Sequence, residues 1–114
     1  MKYMLLIYGP QRDREPTPEE WAEAMPKWEA YTSELRNRGA YVDAAPLAGV
    51  NTATTVRVRD GKRLVTDGPF AESKEYLGGY YVVEAPTIDG ALEAAAMCPG
   101  AQTGSIEVRP IVAV

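Results

Sequence analysis

The sequence predicts an α+β domain: a sheet covered by two helices on one face, with a β-hairpin inserted midway along the chain. Three observations carry that prediction. Short apolar runs bounded by Gly and Pro alternate with two longer segments of helical character. An Asp60-Gly61 pair separates two runs of β-branched and basic residues, the strongest short-range hairpin signal in the chain. At 114 residues there is room for one core and not for two.

The first run, YMLLIY (3–8), is continuous rather than alternating, which predicts a strand buried on both faces. A polar loop, GPQRDREPTP, leads to a helix start, where Thr17 and Glu20 have capping-box spacing and Pro18 suits the first helical position. The helix runs through EEWAEAMPKWEAYTSELRNRG, with Trp21, Met25, Trp28, Thr32 and Leu35 forming one core-facing stripe and Gly39 as its stop. Pro26 removes the bond to the Ala22 carbonyl and predicts a kink there. AYVDAAPL (40–47) is a second strand, with Pro46 marking a sheet edge or the strand's end. In the hairpin TTVRVR-DG-KRLVT, a two-residue loop sets Val58 opposite Arg63 and a three-residue loop sets it opposite Leu64; both registers are open. GGYYVVEA is a strand, Thr87 caps the helix IDGALEAAAM, Pro99-Gly100 ends it, and SIEVRPIVAV supplies the last strand.

The resulting order, β-α-β, hairpin, β-α-β, is the split βαβ order of a ferredoxin-like domain. Two helices cover one face of such a sheet, so the other needs a partner. A second copy on a two-fold axis covers both faces with one sequence, which predicts a homodimer joined by its sheets.

Composition narrows the function classes. The net charge is −4, which gives no electrostatic footprint for nucleic acid. The cations Arg57, Arg59, Lys62 and Arg63 gather on the hairpin, where a solvated face is the ordinary reading. The opening apolar run is too short for a membrane span or the usual signal-peptide core, and the single cysteine, Cys98, forms no internal disulfide. Together these point to a cytoplasmic protein without membrane or nucleic-acid partners. Histidine is absent. Without it, Ser-His-Asp and Cys-His schemes fall away, and imidazole-bound zinc or iron has no ligands, so no metal or cofactor is expected. Any acid-base chemistry uses carboxylates, lysine or tyrosine.

The densest stretch for chemistry is DGPFAESKEYLGGYYVVE (67–84). Asp67 has two readings: a side chain that caps the Asp-Gly-Pro turn, or a loop acid acting as general base beside a cleft. Pro69 can open a short helix through FAESKE with Phe70 as anchor. If AESKEYL is helical, Glu72 and Glu75 share a side, either as a solvated pair or as carboxylates with split roles. Gly78-Gly79 permits a bulge, a turn or close approach of a ligand, but neither a P-loop nor a dinucleotide fingerprint is present. Tyr8, Tyr80 and Tyr81 fall on strands, and Tyr80 and Tyr81 point to opposite faces, one toward the helices and one toward the dimer interface. Cys98, at a helix C-terminus, is structural.

These residues also carry a resemblance. DGPFAESKEYLGGYYVVE, preceded by ATTVRVRDGKRLVT and followed by CPGAQTGSIEVRP, together with the opening MKYMLLIYG, resembles the DGPF-motif branch of the YCII-related family over nearly the whole chain. The resemblance implies a dimeric α+β barrel of ferredoxin-like subunits. It also implies a suspected enzyme with a His and Asp pair beside the sheet, but here the histidine position falls near Lys27 or Trp28 and the acid position is Cys98, so the pair does not carry over. Association with extracytoplasmic-function sigma factors is implied at the level of the family. The resulting expectation is a small-molecule pocket between sheet, first helix and DGPF loop. Asp67, Glu75 and Tyr80 would be its catalytic residues, and Tyr8, Trp28, Pro69, Phe70 and Tyr81 its lining. The competing expectation is a non-catalytic partner protein that uses the DGPF segment as a brace.

Overall fold

The computed structural model describes residues 1–10, 14–69, 71 and 73–114. Its elements follow the expected order: β1 (Lys2–Pro10), α1 (Pro18–Asn37), β2 (Tyr41–Pro46), β3 (Thr54–Arg59), β4 (Lys62–Asp67), β5 (Glu75–Glu84), α2 (Ile88–Met97) and β6 (Ser105–Pro110). β2, β5, β1 and β6 form a four-stranded sheet in that order, and β3 and β4 form a separate two-stranded sheet. All the paired strands run antiparallel. This is the ferredoxin-like split βαβ arrangement with an inserted hairpin.

α1 begins and ends as its sequence dictates. The Thr17 hydroxyl accepts from the Glu20 backbone N–H at 3.2 Å, and Glu20 Oε1 accepts in return from the Thr17 N–H at 2.9 Å. At the other end Gly39 takes φ +70°. Its N–H bonds the Arg36 carbonyl at 3.0 Å, and the Ala40 N–H bonds the Leu35 carbonyl at 2.8 Å, the two bonds of a Schellman stop. The helix runs across Pro26 as one segment. Pro26 and Ala22 are both exposed, so the carbonyl left unbonded by the proline has water available.

The buried stripe of α1 differs from the expected one. Tyr31 and Leu35 are its buried residues, with Trp28 half-buried, whereas Trp21 and Met25 remain 42% and 41% exposed. The first two turns carry their apolar side chains beyond the edge of the core, so spacing alone overstated how much of the helix is covered. Thr87 does stand at the N-cap of α2, but its side chain makes no capping bond. The last strand stops at Pro110 rather than running through residue 114.

The core lies between the helices and one face of the sheet. Tyr3 and Leu5 of β1, Tyr81 and Val83 of β5, Tyr31 and Leu35 of α1, and Ala91, Ala94 and Ala95 of α2 meet there with Cys98. Alternation sends Met4, Leu6 and Tyr8 to the opposite, open face. The expectation that 3–8 is buried on both faces therefore holds on the helix side only, since Met4, Leu6 and Tyr8 are half-buried in the single chain.

The hairpin register is settled: Val58 pairs with Arg63 and Arg59 with Lys62. The loop is the two-residue one, with Asp60 at φ 51° and Gly61 at φ 74°, the pair of positive angles a type I′ turn requires.

Two bulges alter the alternation. In β5 the register passes from Ile7↔Gly79 to Tyr8↔Leu77, leaving Gly78 as the extra residue. In β2 it passes from Tyr41↔Val83 to Asp43↔Val82, leaving Val42 as the extra one.

Glu20 also carries the clearest pH signature of the fold. The hydrogen bond from the Arg14 guanidinium at 2.6 Å, helped by the Thr17 backbone N–H, holds its carboxyl at about 2, below the ordinary 4.5. A depressed carboxylate stabilises the fold above its unfolded value and loses that contribution as the pH falls through the folded one. Thermal melts of wild type and Glu20→Gln should differ at neutral pH. Because the site is exposed, salt should narrow the gap, and it should close between pH 4.5 and about 2.

Candidate functional site

The polar side chains of the open face gather at carboxylates. At one end of the sheet Ser105 donates its hydroxyl to Glu75 Oε1 at 2.8 Å. Beside them, Tyr8 pairs in register with Ser105, and its hydroxyl lies 3.4 Å from Glu107 Oε1. On the β2 side the Tyr80 hydroxyl donates to Asp43 Oδ2 at 3.4 Å. Met4, Leu6, Leu77 and Val82 fall on the same face by register. The result is an apolar strip with a hydroxyl–carboxylate pair on either flank and a third across its end.

The bulges put two of those carboxylates there. If β5 alternated evenly through Gly78, Glu75 would share the face of Tyr81 and Val83; because the bulge absorbs Gly78, Glu75 joins Tyr8 and Leu77. If β2 alternated evenly through Val42, Asp43 would turn toward the helices; because the bulge absorbs Val42, Asp43 stands beside Val82 and reaches Tyr80. Neither shift is visible from alternation.

Of the residues singled out in the sequence, the structure brings Tyr8, Glu75 and Tyr80 onto one face. It does not bring Asp67 to them. Asp67 ends β4, is exposed, and makes no hydrogen bond or ion pair with another described residue. Its turn is held by backbone groups instead: the Gly68 N–H donates to the Ala53 carbonyl at 2.7 Å and the Thr55 hydroxyl to the Gly68 carbonyl at 2.8 Å. The expected capping bond from the Asp67 side chain is therefore absent among the described residues. Pro69 follows in the same turn, exposed. Phe70, assigned to the pocket wall, and Glu72 lie outside the described residues.

The helix expected from AESKEYL is not formed where the chain is described, because Glu75, Tyr76 and Leu77 already belong to β5. Pairing with β1 extends this strand three residues upstream of the Gly78 start and overrides local helix preference. The Ser73 hydroxyl, which donates to the Glu75 carbonyl, and the Ser73 N–H, which points at the Tyr76 hydroxyl, brace its start.

Trp28 and Tyr81 lie on the helix side. Their rings stack at 6.1 Å with an interplanar angle of 17°, and Tyr31 and Tyr41 meet Tyr81 edge-on at 5.0 and 6.3 Å. The Tyr81 hydroxyl lies 2.7 Å from Thr32 Oγ1, and the Tyr31 hydroxyl donates to the Ala94 carbonyl at 2.6 Å. Trp28 and Cys98, the positions at which the resemblance implied a His and Asp pair, thus belong to packed aromatic rings and a buried thiol.

Electrostatics sorts these groups by role. Burial raises the Tyr31, Tyr81 and Cys98 pKa values, so all three stay protonated at neutral pH and none is primed as base or nucleophile. The charge of Asp43 raises Tyr80, which keeps it a hydrogen-bond donor. Base chemistry on the open face therefore falls to carboxylates. No cluster of three metal-ligating side chains occurs among the described residues, and none of the described helices is long and apolar enough to cross a membrane.

Sequence reasoning missed Asp43, Ser105 and Glu107. Glu107 had a signal, an acid alternating with Ile106 and Val108 in a strand, which sends it away from the core. Asp43 had none, since its face depends on the bulge.

A ferredoxin-like sheet with aromatic packing on one side and paired hydroxyls and carboxylates on the other defines an α+β domain with one sheet face open. The YCII-related domain matches residues 1–114, and the chain belongs to the YCII-related family. An uncharacterized protein of Rhizobium meliloti is 34% identical over 114 residues, covering 97% of this chain and 92% of that protein. Among solved structures, the chain is similar to the 5-chloro-2-hydroxyhydroquinone dehydrochlorinase of Burkholderia phenoliruptrix in complex with 2,5-dihydroxybenzoquinone. That match has 14% identity and a TM-score of 0.48, and covers 98% of this chain and 94% of the other.

Proposed function

We propose that this chain works as a cytoplasmic homodimer joined across its open sheet face, and that it binds a small organic molecule at the end of that face beside the Asp67-Gly68-Pro69 turn. The observation that carries this reading is the meeting of Glu75, Ser105, Tyr8 and Glu107 at one end of the strip. Acceptor carboxylates beside hydroxyl donors and an apolar surface suit a small neutral ring that bears hydroxyl groups. If the site turns over, Glu75 is the base and Tyr8 or Tyr80 the donor, with no cofactor or metal in the scheme. The Asp67 turn precedes Glu75 in sequence and contributes no residue to the site.

A thermal-shift screen of small metabolites against wild type, Glu75→Gln and Asp67→Asn tests the proposal. A ligand should stabilise wild type and Asp67→Asn, while Glu75→Gln should bind it about tenfold to a hundredfold more weakly, the worth of one charged hydrogen bond. A ligand that binds Glu75→Gln as tightly as wild type would move the site elsewhere.

Trp21 and Met25, exposed on α1, favour a second reading, a protein-partner role of the kind the DGPF branch suggests with sigma factors. Capture of the purified sigma factor by wild type but not by Trp21→Ala would support it.

A further inference from the structure

Residues 54–67 form a hairpin whose valine-bearing face is exposed among the described residues. Neither strand pairs with the four-stranded sheet. Alternation places Val56 and Val58 of β3 and Val65 of β4 on one hairpin face with Arg63 and Asp67, and the three valines are 57%, 62% and 52% exposed. A two-stranded hairpin is marginal in water without a surface to pack on. The subunit is correspondingly stretched, with a radius of gyration of 16.0 Å. A compact chain of this length has about 13 Å.

Charge is segregated along the same boundary. Of the twelve basic and sixteen acidic side chains, the hairpin holds four and two, so a hairpin of net +2 projects from a remainder of net −6. The acids of the open face, Asp43, Glu75, Glu84 and Glu107, outnumber its cations Lys2 and Arg109, so that face shares the negative sign.

We propose that the hairpin is an arm whose valine face docks on the body of a second copy of this chain. The surface opposite in charge to the arm is the chain's own, and a two-fold axis lets two arms be received at once. This rests on the dimer reading above and goes beyond it, because arms as well as sheets then hold the two copies. The cations of the hairpin, on this view, steer and fix the arm.

Sedimentation over a range of concentration and salt tests the arm with three variants: Val56→Lys/Val58→Lys, Lys62→Glu/Arg63→Glu, and Leu6→Glu on the open face. The lysine pair should weaken the wild-type dimer at least tenfold. Added salt should weaken the wild-type dimer, and the charge-reversed hairpin, which keeps its valines and so its packing surface, should lose that salt dependence and bind more weakly at low salt. Circular dichroism checks that each subunit stays folded. If both hairpin variants dimerise as tightly as wild type while Leu6→Glu does not, the arm is overturned and the sheet-joined dimer stands. A wild-type chain that stays monomeric at every concentration overturns both.

Discussion

Replacing Gly104 by alanine should destabilise the chain by roughly 3 kcal/mol and open the sheet at the Tyr8–Ser105 end. A Cβ built at Gly104 runs into the Tyr8 carbonyl oxygen, with the Tyr8 carbonyl carbon 3.1 Å and the Gly9 Cα 3.2 Å away. All three are backbone atoms of β1, so no side chain can swing aside. Glycine is required here for close approach rather than for its dihedral angles, since Gly104 is not among the glycines with positive φ. A Gly→Ala change in open space stabilises by about 0.4–1 kcal/mol through the unfolded chain, so the sign itself is diagnostic. Urea unfolding gives the answer, and an unchanged or raised midpoint would mean that β6 does not approach β1 this closely. The same variant should weaken any ligand held by Glu75 and Ser105, because Ser105 is the next residue.

Leu5→Ala should cost about 3–4 kcal/mol, a large part of the 5–15 kcal/mol that holds a domain of this size together. Leu5 is 0% exposed, at the middle of a strand flanked on both sides, opposite Tyr81 in β5 and Val108 in β6. Removing its isobutyl group leaves a cavity that strands hydrogen-bonded on both sides cannot close. Leu6→Ala, one residue on and facing the open side, should cost clearly less in dilute solution, since Leu6 is only half-buried in the single chain. Equal losses at the two positions would mean that the open face is covered even then.

How much of this was legible depended on whether a signal was local. The capping box of Thr17 and Glu20, the stop at Gly39 and the Asp60-Gly61 turn are written in a few neighbouring residues, and each formed as read. The strand order needed only the element pattern. The opposition of Tyr80 and Tyr81 followed from alternation, and Tyr81 is the one facing the helices. What failed was tertiary. Trp21 and Met25 sit at helical spacing with Trp28, but the spacing says nothing about where the core ends. Glu75 looked helical beside Lys74 until pairing with β1 claimed it. The candidate site was half-visible for the same reason: Tyr8, Tyr80 and Glu75 were named, but Asp67 was drawn in by its conspicuous turn and Asp43 was passed over.

The extra residue at Gly78 has a consequence for how this surface can change. On either side of it β5 counts in opposite phase, so the strand behaves as two short messages read from opposite sides. Deleting that single glycine would make the alternation even and leave every side chain where it is, with Tyr81 and Val83 on the core side and Leu77 and Glu75 on the open one, whereas losing Tyr76 would turn the acid inward toward the aromatic packing. Loss of the codon for Gly78 would therefore be silent for this face, while loss of the codon for Tyr76, two positions away, would remove its acid without altering the acid itself.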